Sequence, residues 1–243
     1  MRVDYRGIPH KKHAEEHSRI GEALRDIILG GQDGLVNILG LVLGVASATM
    51  DTGIVLVAGL ASLFAESVSM AAVAYTSARA EIDYYFKERH REMREVEELP
   101  EEEREEIRRI YRAKGLSGKL LEDVVNVITS DPTRWVDEMM TDELNLAPVS
   151  HRNPVKESMV VGFASVVGSF IPLIAFFLMP VSEAIPVAVF ISVFVLFVAG
   201  AVKAKITVGT WWKSGLEMAF VGFVAALLGY WIGAILGSTP LFG

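Results

Sequence analysis

Residues 27–50 read IILGGQDGLVNILGLVLGVASATM, with one formal charge, Asp33, and two polar amides, Gln32 and Asn37, in a run that is otherwise apolar or small. About 20 such residues in a helix suffice to cross the roughly 30 Å hydrocarbon core of a bilayer. The same window carried outward finds four more runs, at 54–78, 155–179, 185–202 and 216–236. The second contains Glu66, and the last three are nearly free of charge. The expected fold class is therefore an all-α polytopic membrane protein with five transmembrane helices.

The connections agree with that reading. Met50-Asp51-Thr52-Gly53 and Met179-Pro180-Val181-Ser182-Glu183 are tight turns without a Lys or Arg. The N-terminal segment carries Arg2, Arg6, Lys11, Lys12, Arg19 and Arg25, and the loop after the fourth run carries Lys203, Lys205 and Lys213. The positive-inside bias then places the N-terminus, the long segment between runs two and three, and the 203–213 loop in the cytoplasm. After an odd number of spans the C-terminus lies outside. Trp211, Trp212, Tyr230 and Trp231 are the expected interfacial anchors. The first 26 residues are polar and do not read as a signal peptide. Without a targeting extension, the host is expected to be a prokaryotic plasma membrane.

The chain divides by composition into a cytoplasmic amphipathic segment (1–26), spans one and two (27–78), an acidic helical insert (79–153), and spans three to five (154–243). The whole chain has a formal net charge of −7, and residues 81–152, with 12 Lys and Arg against 19 Asp and Glu, account for all of it. An acidic module attached to a membrane points to a cationic partner rather than nucleic acid. Leu99-Pro100 breaks the insert's first helix, and Pro100 suits the first turn of the next. Gly115-Leu116-Ser117 ends that one, a third covers 119–129, and Asp131-Pro132 opens a fourth.

With no cysteine in the chain, a metal site must be built from carboxylate, imidazole, thioether, carbonyl or water. Ionisable groups at membrane depth are costly and are functional candidates by default. Asp33 is one, unless it merely caps the first span. Glu66 lies too deep in its span for a cap, and the alternative there is a buried hydrogen bond. Glu66 and Met70 share a helix face at i, i+4, and a hard carboxylate beside a soft thioether suits a borderline ion such as Fe2+ better than Ca2+ or Mg2+. In the insert, Glu92 and Glu95 are spaced i, i+3, and Glu103 and Glu106 repeat that spacing on the next helix. Opposed glutamate pairs on neighbouring helices are how bundles build carboxylate metal sites. Met139 and Met140 precede Glu143 by four and three residues, adding sulfur and a further carboxylate. A solvated acidic face is the plain alternative for the whole run. His13 and His17, also i, i+4, are a weaker metal signal. Gly40 and Gly44 form a small-residue pair fit for close helix packing, within one chain or between two. Pro172 falls inside the third span, where a kink or an opened turn is expected. There is no phosphate-binding glycine loop, no Ser–His–Asp set and no HExxH.

The run from Arg25 to Gly44, the second span with Ser69-Met70 and the segment from Tyr75 to Tyr85, and the segment from Asp131 to Leu144 together resemble the vacuolar iron transporter family over nearly the whole chain. The resemblance implies a translocation path lined by Asp33 and Met70. It also implies a cytoplasmic domain holding several metal ions through Glu92, Glu95, Glu103, Glu106, Met139, Met140 and Glu143, with Glu102 and Glu105 as the alternatives if the register slips at Pro100. Some members carry a glutamate where this chain has Ser62. Glu66, one turn later, is placed to substitute. The family works as homodimers with the path at the subunit interface, which would give the Gly40/Gly44 pair a use. The expected function is secondary transport of Fe2+, with Mn2+ and similar ions, out of the cytoplasm in exchange for protons, with no prosthetic group and no enzymatic step. Two rivals stand beside it: a membrane-anchored metal-binding or sensing module that does not transport, and an oxygen-dependent ferroxidase. The second lacks the Glu-x-x-His pairs usual for di-iron carboxylate sites.

Overall fold

The computed structural model describes residues 12–149, 152–207 and 209–239, with side chains from Gly21 onward except Glu22. The tail cations Arg2, Arg6 and Lys11, and the side chains of His13 and His17, lie outside the described residues. Every regular element in the described residues is helical: α1 (Lys12–Thr49), α2 (Thr52–Glu98), α3 (Pro100–Ala113), α4 (Gly118–Thr129), α5 (Pro132–Glu138) running into a π-helix (Met139–Glu143), α6 (Pro154–Leu178), α7 (Val181–Ile206) and α8 (Trp211–Gly237). Five of them, α1, α2, α6, α7 and α8, are long and apolar enough to cross a membrane. The protein is a polytopic all-α membrane protein.

The chain forms two compact units, one from residues up to 75 together with 155 onward, the other from 76–154. The first is the membrane bundle. Its core is Ile38, Leu39, Val42, Leu43, Leu63, Leu173 and Phe176 with alanines of α7 and α8. Its outer surface is apolar as well: Phe163, Phe177, Phe190, Phe194, Phe220 and Trp231 are all exposed. That pattern fits lipid, not water, as the surrounding solvent. Trp211, Trp212 and Tyr230 are also exposed near the ends of α8.

The Gly40/Gly44 pair has its partner within this chain. A Cβ added at Gly229 would overlap the Gly40 carbonyl, and one at Gly233 would overlap the Gly44 carbonyl and the Ser47 hydroxyl. Two small-residue stripes of period four thus bring the backbones of α1 and α8 into direct contact. Ser47 Oγ also donates to the Tyr230 carbonyl at 2.9 Å. A use for this stripe between subunits is therefore corrected: the close packing is intramolecular. Helix α6 is continuous through Pro172, which is buried.

Local chemistry explains the breaks. Met50 turns with φ 51°, and the Asp51 carboxylate accepts the Ile54 amide at 3.0 Å to cap α2. No Gly or Pro occurs between Gly59 and Pro100, so α2 runs unbroken for 47 residues. In the 76–154 unit, Pro100 sits in the first turn of α3 beside Glu101, Glu102 and Glu103, which face the positive end of its dipole. Gly115, at φ 95°, closes α3 with Leu116 N–H donating to the Tyr111 carbonyl at 3.1 Å, the geometry that favours glycine after a helix end. Asp131 caps α5 by accepting from Thr133 and Arg134. The unit's apolar core gathers Tyr85, Val96, Ile107, Leu121, Val125, Trp135, Val136, Met139 and Met140.

Candidate metal sites

Helix α1 extends 21 residues before Asp33, so Asp33 is a mid-helix carboxylate and the capping reading is overturned. It is half-buried, as is Glu66 on α2, and the two carboxyl groups stand close enough to interact directly. Asn37, one turn after Asp33 on the same face, donates its amide nitrogen to Glu66 Oε1 at 2.6 Å. Two like charges this close in an apolar bundle repel unless a cation or a proton lies with them. Met70, one turn beyond Glu66, is half-buried, and so is Ser62, one turn before it. The arrangement offers oxygen donors from both helices and a thioether on α2. Asn37 was not among the residues singled out by sequence, although its i, i+4 spacing from Asp33 is the same signal that picked out Glu66 and Met70.

The second cluster lies in the 76–154 unit. Glu92 of α2, Glu103 of α3 and Glu143 of the π-helix each bring one carboxylate oxygen within 4.8 Å of the others. A divalent ion held at about 2.1–2.4 Å needs ligand oxygens roughly 3–4 Å apart, so a small contraction would close a site. Glu92 is 1% exposed and Glu103 is 7% exposed. One oxygen of Glu103 is buried without a hydrogen-bond partner among the described residues. A buried, unpartnered carboxylate oxygen is costly unless a proton or a ligand satisfies it.

Glu106 and Glu95 complete the cluster. Glu106 interacts directly with Glu143 and is the strongest charged influence on Glu103. Glu95 is half-buried and lies near Glu92 and Glu103. The outward neighbours differ: Glu102 is exposed, and Glu105 is turned to Arg108. The register at Pro100 thus brings Glu103 and Glu106 to the cluster. Burial first, and then the surrounding carboxylates, push Glu103 up to about 7. Glu143, exposed at the edge of the cluster, is pushed up to about 7 by partial desolvation and then by Glu106. Burial also raises Glu92, against the Arg91 hydrogen bond that holds it down.

Met139 and Met140 are fully buried in the unit's apolar core. They begin the π-helix, where Leu144 N–H reaches back five residues to the Met139 carbonyl at 3.2 Å. The wider turn, with about one more residue per turn than an α-helix, re-aims the side chains downstream of it. Sequence spacing assumed an ordinary α-helix here. Two further residues escaped the sequence reading. Glu88 is 5% exposed and precedes Glu92 and Glu95 at i, i+4, i+7, a legible face. Arg91 is chain-adjacent to Glu92, a spacing that does not signal contact.

Both clusters fall inside residues 24–234, which match a family model described as the VIT family. The chain belongs to the VIT family. It is 35% identical over 215 residues to vacuolar iron transporter 1 of Arabidopsis thaliana, covering 88% of this chain and 86% of that one. It is 31% identical over 216 residues to the vacuolar iron transporter of Centaurea cyanus, covering 88% of each. The vacuolar iron transporter of Plasmodium berghei is 30% identical over 238 residues, covering 94% of this chain and 87% of its own. VIT membership makes metal-ion transport across a membrane the activity class of this protein.

Proposed function

We propose that this VIT family member is a secondary transporter of divalent transition metals, moving Fe2+ and similar ions such as Mn2+ out of the cytoplasm in exchange for protons. The observation that carries the reading is the pair Asp33 and Glu66, two interacting carboxyls on adjacent membrane helices, set beside relatives named for iron transport. An inert anchor gains nothing from two such groups at that depth. With Asn37 and Met70 they offer a mixed oxygen and sulfur set that suits a borderline cation. A metal ion and a proton compete for the same carboxylates, which couples the two fluxes.

Glu92, Glu95, Glu103, Glu106 and Glu143 collect the ion on the cytoplasmic side, with Met139 and Met140 adjoining. The Lys and Arg bias supports that orientation, with the C-terminus outside. A homodimer places the path between subunits. The test is uptake of Fe2+ and Mn2+ into proteoliposomes with and without a pH gradient. Asp33→Ala, Glu66→Gln and Met70→Ala should each cut flux. Undiminished flux in all three would remove the pore assignment, and flux indifferent to the gradient would remove proton exchange.

A further inference from the structure

We infer that Arg91 is a built-in counter-ion of the domain's carboxylate cluster, occupying the cation's electrostatic place until a divalent metal displaces it. The inference rests on the reading of that cluster as a metal site. Arg91 spreads its guanidinium over three carboxylates of α2: Nη1 to Glu88 at 2.8 Å, Nη2 to Glu92 at 3.0 Å, and Nε to Glu95 at 3.4 Å. Glu92 and Glu95 also belong to the cluster, so metal and guanidinium claim the same groups. Glu92 is almost fully buried, and a buried carboxylate needs a compensating charge or donor. Arg91 supplies it.

The arginine itself is 44% exposed in its side chain. It can swing into water on its flexible stem without unfolding the helix. Glu103 differs from Glu92: no arginine meets it, and its buried oxygen has no partner among the described residues. The cluster is therefore half-neutralised, with one side pre-paired and the other left for an ion.

The consequence is a lowered affinity. Every metal ion that binds must expel a tethered cation, and every ion that leaves is helped out by its return. A carrier needs such release, whereas a storage site does not. A purely scaffolding arginine makes the opposite prediction, since removing it would splay the glutamates and weaken binding.

The test is isothermal titration of the full-length protein in detergent with Mn2+, comparing wild type, Arg91→Gln and Arg91→Lys, with Glu103→Gln identifying the cluster's signal by its loss. Three modest ion pairs together set the expected gain for Arg91→Gln at about tenfold tighter binding. Arg91→Lys, a point charge unable to bridge three carboxylates, should fall between. The metal-free Arg91→Gln protein should melt lower than wild type and gain more on adding metal, a pair of shifts that loss of a scaffold does not produce. Equal or weaker Mn2+ binding by folded Arg91→Gln overturns the inference while leaving the metal site intact. Should Arg91→Gln fail to fold, Arg91→Lys decides by the same sign. No Mn2+ binding by wild type would remove the site, and the counter-ion with it.

Discussion

Glu103 and Glu143 both titrate near neutrality, each at about 7, Glu103 because it is buried among other carboxylates and Glu143 because it is partly desolvated beside Glu106. A metal ligand must be deprotonated, so binding at this cluster competes with protons and strengthens as pH rises. At pH 8 each group is ionised to about 90%, and at pH 6 to about 10%. If both must be ionised together, the competent fraction falls from about 0.8 to about 0.01, and affinity drops roughly a hundredfold across those two pH units. Glu92, also raised, acts in the same direction. At pH 7 each bound ion should release about one proton from the pair, rising toward about two at pH 6. Titrating the full-length protein with Mn2+ in two buffers of different ionisation enthalpy reads affinity and proton count together. Glu143→Gln should flatten the pH dependence to about tenfold. Affinity that stays constant from pH 6 to 8, with no proton released, would refute the reasoning.

The same shifts bear on stability. The folded state holds the Glu103 and Glu143 protons more tightly than the unfolded chain, whose carboxyls titrate near 4.5. Their contribution to stability is therefore full below that value and is lost as pH climbs through about 7. The metal-free protein should melt lower at pH 8 than at pH 5.5, and an equal or higher melting temperature would contradict the burial argument. Gly233→Ala forces a methyl into the Gly44 carbonyl and Ser47 hydroxyl. It should cost about 1–3 kcal/mol, read as a lower melting temperature in detergent. Asn37→Leu removes the donor to Glu66. A hydrogen bond to a charged group contributes about 1.5–3 kcal/mol, so metal flux should fall about tenfold or more while the fold persists. Unchanged flux would make Asn37 a bystander.

The five membrane helices were legible because a long apolar run has few other stable fates. The meeting of Glu92 and Glu103 was only partly legible: i, i+3 spacing on either side of Pro100 allowed it, but a solvated acidic face fitted the same pattern. The unbroken α2 could have been read from the lack of Gly or Pro between Gly59 and Pro100; the change in composition near residue 80 marks a change of solvent, not of backbone. The partner of Gly40 and Gly44 was less accessible. Gly229, Gly233 and Gly237 repeat the same spacing, but which stripes meet is decided by tertiary packing. The π-helix at Met139–Glu143 depends on a single shift of hydrogen-bond register that no residue type announces. Arg91 escaped for a related reason. Its reach is a property of a long side chain, whereas spacing rules follow Cβ directions.

The tight seam between α1 and α8 bears on how the protein is made. These are the first and last of the described helices, and their backbones meet where a side chain added at Gly229, Gly233 or Gly237 would intrude. During synthesis α1 enters the bilayer early, and its glycine stripe faces lipid, or a transient companion, until residues past Trp211 leave the ribosome. Closure of this seam therefore waits for α8. A chain cut short before α8 leaves that stripe unsealed, an open flank on which quality control can act.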